Sequence, residues 1–434
     1  MHLKMVEIYF WIMIWLHHME LFLANYLKEL LGIQEKLIIK PVRYLTKKHI
    51  YPSNLEKMKV RLAVQIFSPP VTAALRYIAH HGGEEFAYFK DCSATVKYME
   101  NMYKFFQIHD VSNKTQHIHQ RDVNTAPYTN IEDVRLLWLN EEFPHYINDV
   151  QSTSAEAGIQ GLTKETAEAL IFTAKSTYLC IKYLISDLNF FYVLTRNFSS
   201  EAVESIFSNV RLRGGSNDLT DCRAAEHALR QILKSGLIKS VNNSNIISNT
   251  EYISNAKLEI PRNSNDTDEI VITLNEIVIE KLEKLSVFVH DGFEVNSFKM
   301  ESTATAFLCG YLITKVAESV NNCELCLSTL RNTSPEKTSL LLELIYNQDR
   351  GKLNYPNERF VGLIEFVVDI MIEILPSLPK GNVDFILKNV LSSYLLHNPV
   401  FQCSVHYGIV CDTIMKKFIP PVLINFCNLH TQNI

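Results

Sequence analysis

The sequence predicts a mainly α protein, and three observations carry that prediction. Apolar residues return every three or four positions in one segment after another, the spacing of a single buried helix face. Residues that open helices and glycines that stop them fall at the edges of those segments. Runs with strand character are sparse, and residues 190–195 (FFYVLT) are the clearest of them.

The chain opens with MHLKMVEIYFWIMIWLHHMELFLA. Glu7 and Glu20 bracket a short apolar run that itself contains His17 and His18. A spanning helix needs about 20 apolar residues, so a buried helix is expected here and no membrane partner. The density of Met, Trp and Phe reads like a chain that opens inside a domain. In YLTKKHIYPSNLEKMKVRLAVQIFSPP, Ser53 and Glu56 have capping-box spacing, and Leu55, Met58, Leu62 and Ile66 share one face. Pro69 and Pro70 end that helix. Lys47, Lys48, Lys57, Lys59 and Arg61 form the clearest local basic cluster, with Glu56 alone against them. Such a cluster is either a solvated helix face or a phosphate-binding one.

Helices follow over residues 89–108, 133–139 and 163–185. In SSEAVESIFSNVRLRGGSND, residues 199–218, Val203, Ile206, Phe207 and Val210 make the buried stripe, Ser199 or Ser200 caps it, and Gly214 and Gly215 stop it. Glu204 sits on the shoulder of the stripe. As acids of the first turn, both Glu201 and Glu204 are favoured by the helix dipole, by roughly 0.3–1 kcal/mol each. DCRAAEHALRQILKSG continues as a helix with Ala225, Ala228, Leu229, Ile232 and Leu233 inward. Residues 240–269 turn to Asn, Ser and Thr and read as a linker or long surface loop. A folded pattern resumes at EIVITLNEIVIEKLEKLSVFV. Residues 303–319, 339–346, 360–375 and 383–396 read as further helices.

At 434 residues, with 47% hydrophobic content, the chain is long enough for two or three domains with real cores. A net charge of −5 excludes coating nucleic acid by bulk charge, so any DNA contact is regional. Nine cysteines, an odd number scattered over a long chain, argue for a reducing compartment rather than a disulfide scaffold. The sequence has no internal repeat and neither the GxxxxGK[ST] nor the GxGxxG phosphate loop.

Three passages in order, LTKKHIYPSNLEKMKVRLAVQIFS at 45–68, SSEAVESIFSNVRLRGGSND at 199–218 and FLCGYLITKVAESVNNCELC at 307–326, resemble the P-element-type DNA transposases, which include the THAP-domain-linked transposases. The resemblance implies a helical GTP-binding insertion domain at 45–189 after a junction remnant at 1–44. It further implies a C-terminal segment of the RNase H-like α/β core at 190–239, the linker at 240–268 and a helical C-terminal domain at 269–434. The function implied is cut-and-paste DNA transposition, with Mg²⁺ and GTP as cofactors of the complete enzyme, transposon-end DNA and a homo-oligomeric partner, and nuclear localisation.

Carried across, Glu204 matches the last of the family's three catalytic acids. Phosphoryl transfer between DNA strands uses paired metal ions about 3.5–4 Å apart, and Mg²⁺ prefers carboxylate oxygens. The other two acids precede the insertion in the family, and Met1-His2-Leu3-Lys4 looks like the tail of the segment that carries the second. Catalytic inactivity of the chain alone is therefore expected, with unpartnered apolar surface on residues 6–24. Arg211, Arg213, Lys57, Lys59 and Arg61 are the implied DNA contacts. At the family's guanine-reading Asp this sequence has Glu201, whose extra methylene displaces the carboxylate by about 1.5 Å. The family's FDxxN-like stretch here is Phe106-Gln107-Ile108-His109, without the Asp. Both changes predict weak or absent GTP binding. The alternative to a transposase fragment is a domesticated, non-catalytic helical module for DNA binding or protein assembly.

The third passage ends in a Cys-x-x-Cys, Cys323 and Cys326, and further on Cys403 and His406 form a Cys-x-x-His. Together they make a tetrahedral zinc set, or else buried free thiols.

Overall fold

The computed structural model describes residues 23–57, 59–84, 86–156, 161–199, 201–215, 221–235, 300–332, 339–377, 383–397 and 401–431. Expectations for residues 1–22, the linker and the 269–289 pattern lie outside the described residues. Among the described residues, the helices of eight residues or more are α1 (Leu23–Glu35), α2 (Val60–Phe67), α3 (Pro69–His81), α4 (Ser93–His109), α5 (Phe143–Glu156), α6 (Lys164–Ser186), α7 (Glu201–Arg213), α8 (Cys222–Ser235), α9 (Met300–Ser319), α10 (Glu358–Ile374), α11 (Val383–His397) and α12 (Tyr407–Thr431). No sheet occurs among the described residues. Pairing is confined to isolated bridges, Tyr128 with Val193 and Arg331 with Pro356. The molecule is mainly α.

The chain divides into two compact units, each gathered from separate stretches. One combines residues 1–24, 48–66 and 101–268, and the other residues 25–47, 67–100 and 269–434.

In the first unit, residues 101–109 of α4 together with α5 and α6 supply the core. Phe105 stacks on Phe143 with ring centres 4.7 Å apart, and Trp138 meets Phe143 at 4.8 Å. Thr163 caps α6 by accepting the Thr166 N–H at 3.2 Å, the predicted helix start. The Ser53–Glu56 capping box also forms: the Ser53 N–H donates to Glu56 Oε2 at 3.0 Å and the Glu56 N–H donates to Ser53 Oγ at 3.4 Å. The predicted helix behind it is broken, however. Asn54–Lys57 makes one turn, α2 begins afresh at Val60, and the side chains of Leu55 and Met58 lie outside the described residues. Pro69 and Pro70 follow the end of α2 as expected, and they also open α3, where a missing N–H costs nothing.

The strand expected at residues 190–195 is not there. Val193 exchanges two hydrogen bonds with Tyr128, at 3.0 and 2.8 Å, and the chain then turns into the Thr195–Phe198 helical turn. Phe190, Phe191 and Tyr192 are exposed, so their aromatic character marks surface rather than a buried pleat. Helix α7 stops where predicted, at a glycine pair with Gly215 at φ +72°, a left-handed turn that suits glycine. It packs on α8 through Val210, Ala228 and Ile232, with Ile206 and Ala225 at the margin. Phe207, Leu229 and Leu233, predicted to face inward, are exposed, because this two-helix contact buries only a narrow stripe.

The second unit is built around α9, α10, α11 and α12. Cys309, Leu312 and Val316 of α9 pack with Ile364, Met371, Leu387 and Phe418, all essentially inaccessible. Ile38 and Ile39 join this core, and Asn425 Nδ2 donates to the Ile38 carbonyl at 2.8 Å. Helices α9, α10 and α11 lie where periodicity predicts them. Helix α12 was not foreseen, because Pro420 and Pro421 interrupt it, and a proline inside a helix costs about 3 kcal/mol or more. It persists because Phe418, Ile419 and Val422 beside the prolines are buried in the core. No described helix is long and apolar enough to cross a membrane.

Candidate functional site

Helix α7 positions Glu204 in its first turn, on a half-buried shoulder, as the hydrophobic stripe implies. The side chain of Glu201 lies outside the described residues. A paired-metal centre needs several carboxylates converging on one point. Among the described residues two groups of three or more ligating side chains converge, Cys323/Cys326/Cys403/His406 and His80/His81/Glu343, and Glu204 is in neither. Asp187, the nearest acid before α7 in the chain, is exposed at the end of α6. The described residues therefore do not by themselves fit a Mg²⁺ pair at Glu204.

The candidate DNA contacts are mostly on the surface. Lys59, Arg61, Arg211 and Arg213 are exposed, Lys57 is half-buried, and Arg213 also donates to Gln231 Oε1 at 3.2 Å. Of the neighbouring basic residues, Lys48 lies 3.8 Å from Glu56. Backbone and hydroxyl donors from Ser53 hold the Glu56 carboxyl below its ordinary pKa, with Lys48 and Lys59 adding to the effect.

The stretch standing in for the family's FDxxN-like motif is committed to packing. Gln107 and His109 are both buried. His109 donates from Nδ1 to the Phe105 carbonyl at 2.7 Å and accepts at Nε2 from the Thr177 hydroxyl at 3.1 Å. Burial lowers its pKa to about 4, against a weaker opposing effect of the Phe105 carbonyl, so the ring is neutral near pH 7. Nearby, Arg135 forms a hub that composition could not reveal. Its guanidinium meets Asp133 at 2.6 Å, donates to the Ala126 carbonyl at 2.6 Å and lies 3.9 Å from the centre of the Tyr128 ring. Burial raises the Asp133 pKa, but the Arg135 hydrogen bonds outweigh it and hold the carboxyl low.

In the second unit the two sequence-predicted pairs come together. Cys323 caps the short helix Glu324–Ser328 and Cys326 lies within it, while Cys403 and His406 lie just before α12. The four donor atoms are all within 4.8 Å of one another. Cys326 Sγ and Cys403 Sγ stand 3.7 and 3.5 Å from His406 Nδ1. The Cys323 sulfur accepts N–H bonds from Cys326 and Leu325, and that of Cys403 from His406 and Val405. These donors lower both thiol pKa values, whereas burial pushes Cys326 up to about 12. The other cluster was not foreseen from sequence. His81 Nε2 meets Glu343 Oε2, with His80 Nδ1 3.4 Å from Oε1, across 262 and 263 positions of chain. The adjacent histidines were its only local signal.

Residues 17–122 match the family described as the TNP-like, GTP-binding insertion domain. The chain is 22% identical over 323 residues to the Transposable element P transposase of Drosophila melanogaster, covering 73% of this chain and 38% of that protein. It thus spans less than two-fifths of the length of the relative. A solved structure, the Drosophila P element transposase strand transfer complex, aligns over 49% of this chain and 45% of that one, with a TM-score of 0.38 and 21% identity. The chain is therefore similar over most of its length to a P-element-type transposase, and its residues 17–122 match the GTP-binding insertion domain of TNP-like proteins.

Proposed function

We propose that this chain is derived from a P-element-type transposase, carries its insertion domain and the catalytic acid Glu204, and is inactive in DNA joining by itself. The observation that carries the reading is Glu204 on the half-buried shoulder of α7, in a chain whose residues 17–122 match the GTP-binding insertion domain. Glu204 would ligate Mg²⁺ only alongside acids from elsewhere. Arg211, Arg213, Lys59 and Arg61 are exposed and Lys57 is partly so. Placed against DNA phosphates, they would bind in a salt-dependent way. The setting is the nucleus, in company with DNA and with further copies of the chain.

Guanine nucleotide is the cofactor that the insertion-domain match supports. Two features weaken it here. Glu201 replaces the family's guanine-reading Asp, and Gln107 and His109 are buried in packing. Titration calorimetry with GTP and Mg²⁺ tests this directly. The expected dissociation constant is above about 100 µM, and Glu201→Asp should tighten it by about tenfold. Micromolar binding by the unaltered chain overturns the weakening.

A further inference from the structure

We propose that Cys323, Cys326, Cys403 and His406 hold a structural zinc ion in the C-terminal helical unit. The donors converge from two turns, with Cys326 and His406 separated by 80 positions. Their spacing has room for a coordination tetrahedron. With Zn–S near 2.3 Å and Zn–N near 2.0–2.1 Å, a tetrahedral ion separates sulfur from nitrogen by roughly 3.6 Å and sulfur from sulfur by roughly 3.8 Å. From His406 Nδ1 the Cys326 and Cys403 sulfurs stand at 3.7 and 3.5 Å, and no pair of donors exceeds 4.8 Å.

A second observation separates a metal site from a chance pocket of thiols. Two turns of unrelated surrounding sequence repeat one ligand spacing, Cys-x-x-Cys and Cys-x-x-His, and deliver all four donors to one place. Cys326 and Cys403 are buried, with Cys323 and His406 half-buried, so the centre is shielded without being sealed from its ion.

Sulfur and imidazole donors select zinc over Mg²⁺ or Ca²⁺. Four protein ligands close the coordination sphere and leave no position for water or substrate, so the ion is structural. It would clip the short helix after α9 to the start of α12, closing a loop whose free ends cost entropy to bring together. Both helices already contribute to the core of this unit.

The full chain, purified without added metal, decides the matter through elemental analysis and thiol titration. The expectation is stoichiometric zinc with negligible iron. The three cluster thiols should become reactive only when a chelator is added, and the thermal midpoint should fall on chelation and recover with zinc. Cys403→Ser should lose the metal, while Cys222→Ser, at an exposed cysteine outside the cluster, should keep it. If Cys403→Ser does not fold, the metal content of the unaltered chain is decisive. Substoichiometric zinc, iron in its place, or thiol reactivity and midpoint indifferent to the chelator each overturn the proposal.

Discussion

His109 shows how a single side chain can carry both a packing role and a pH dependence. Its imidazole is buried, neutral and fully paired between the Phe105 carbonyl and the Thr177 hydroxyl. Its folded pKa, about 4, lies below the ordinary 6.5. A depressed pKa in the folded state means that the unfolded chain takes up the proton first. The stabilisation is therefore complete above about pH 6.5 and is lost as the pH falls from there towards 4, by on the order of 3 kcal/mol in all. Denaturant midpoints measured between pH 7 and pH 4.5 should decline, with a shallower slope in His109→Gln. Identical slopes would mean that the ring titrates normally. The sequence singled out His109 only as a departure from a family motif; its depth in the core depends on Thr177, far along the chain. Glu204 was the opposite case, since its shoulder position followed from helix periodicity alone.

Among elements, α9 ties sequence to packing most tightly. Gly310 interrupts an otherwise strong helix former, and an added Cβ there would meet the Asn354 carbonyl oxygen at 2.7 Å. In an open helix Gly→Ala stabilises by about 1 kcal/mol. Here overpacking against backbone reverses the sign, and Gly310→Ala should destabilise by about 1–3 kcal/mol, read as a lowered thermal midpoint. An unchanged or raised midpoint would refute the close approach. Helices α6 and α10 were legible because long amphipathic periods with caps, Thr163 and Asn357, leave few alternatives. Residues 190–195 misled because β-rich composition does not reveal whether a partner strand exists, and here one bridge to Tyr128 is all that forms. Helix α12 escaped because Pro420 and Pro421 are local penalties, overcome by burial of residues that only the folded core supplies. The cluster of Cys323, Cys326, Cys403 and His406 was legible as two short pairs that could form one set, but spacing within each pair could not decide between that set and separate buried thiols.

At the scale of the whole molecule, each compact unit is assembled from stretches distant in sequence. A net charge of −5 leaves DNA attraction to local clusters such as Lys59 and Arg61. The chain shares most of its length with a P transposase while covering 38% of that protein, so the functional question is how much chemistry this part performs unaided. The most direct answer is a strand-cleavage and strand-transfer assay of the purified chain on double-stranded DNA with Mg²⁺ and GTP, run beside Glu204→Ala. The account predicts no nicked or joined product from either protein. Product from the unaltered chain that disappears in Glu204→Ala would contradict it by revealing a complete metal centre around that carboxylate.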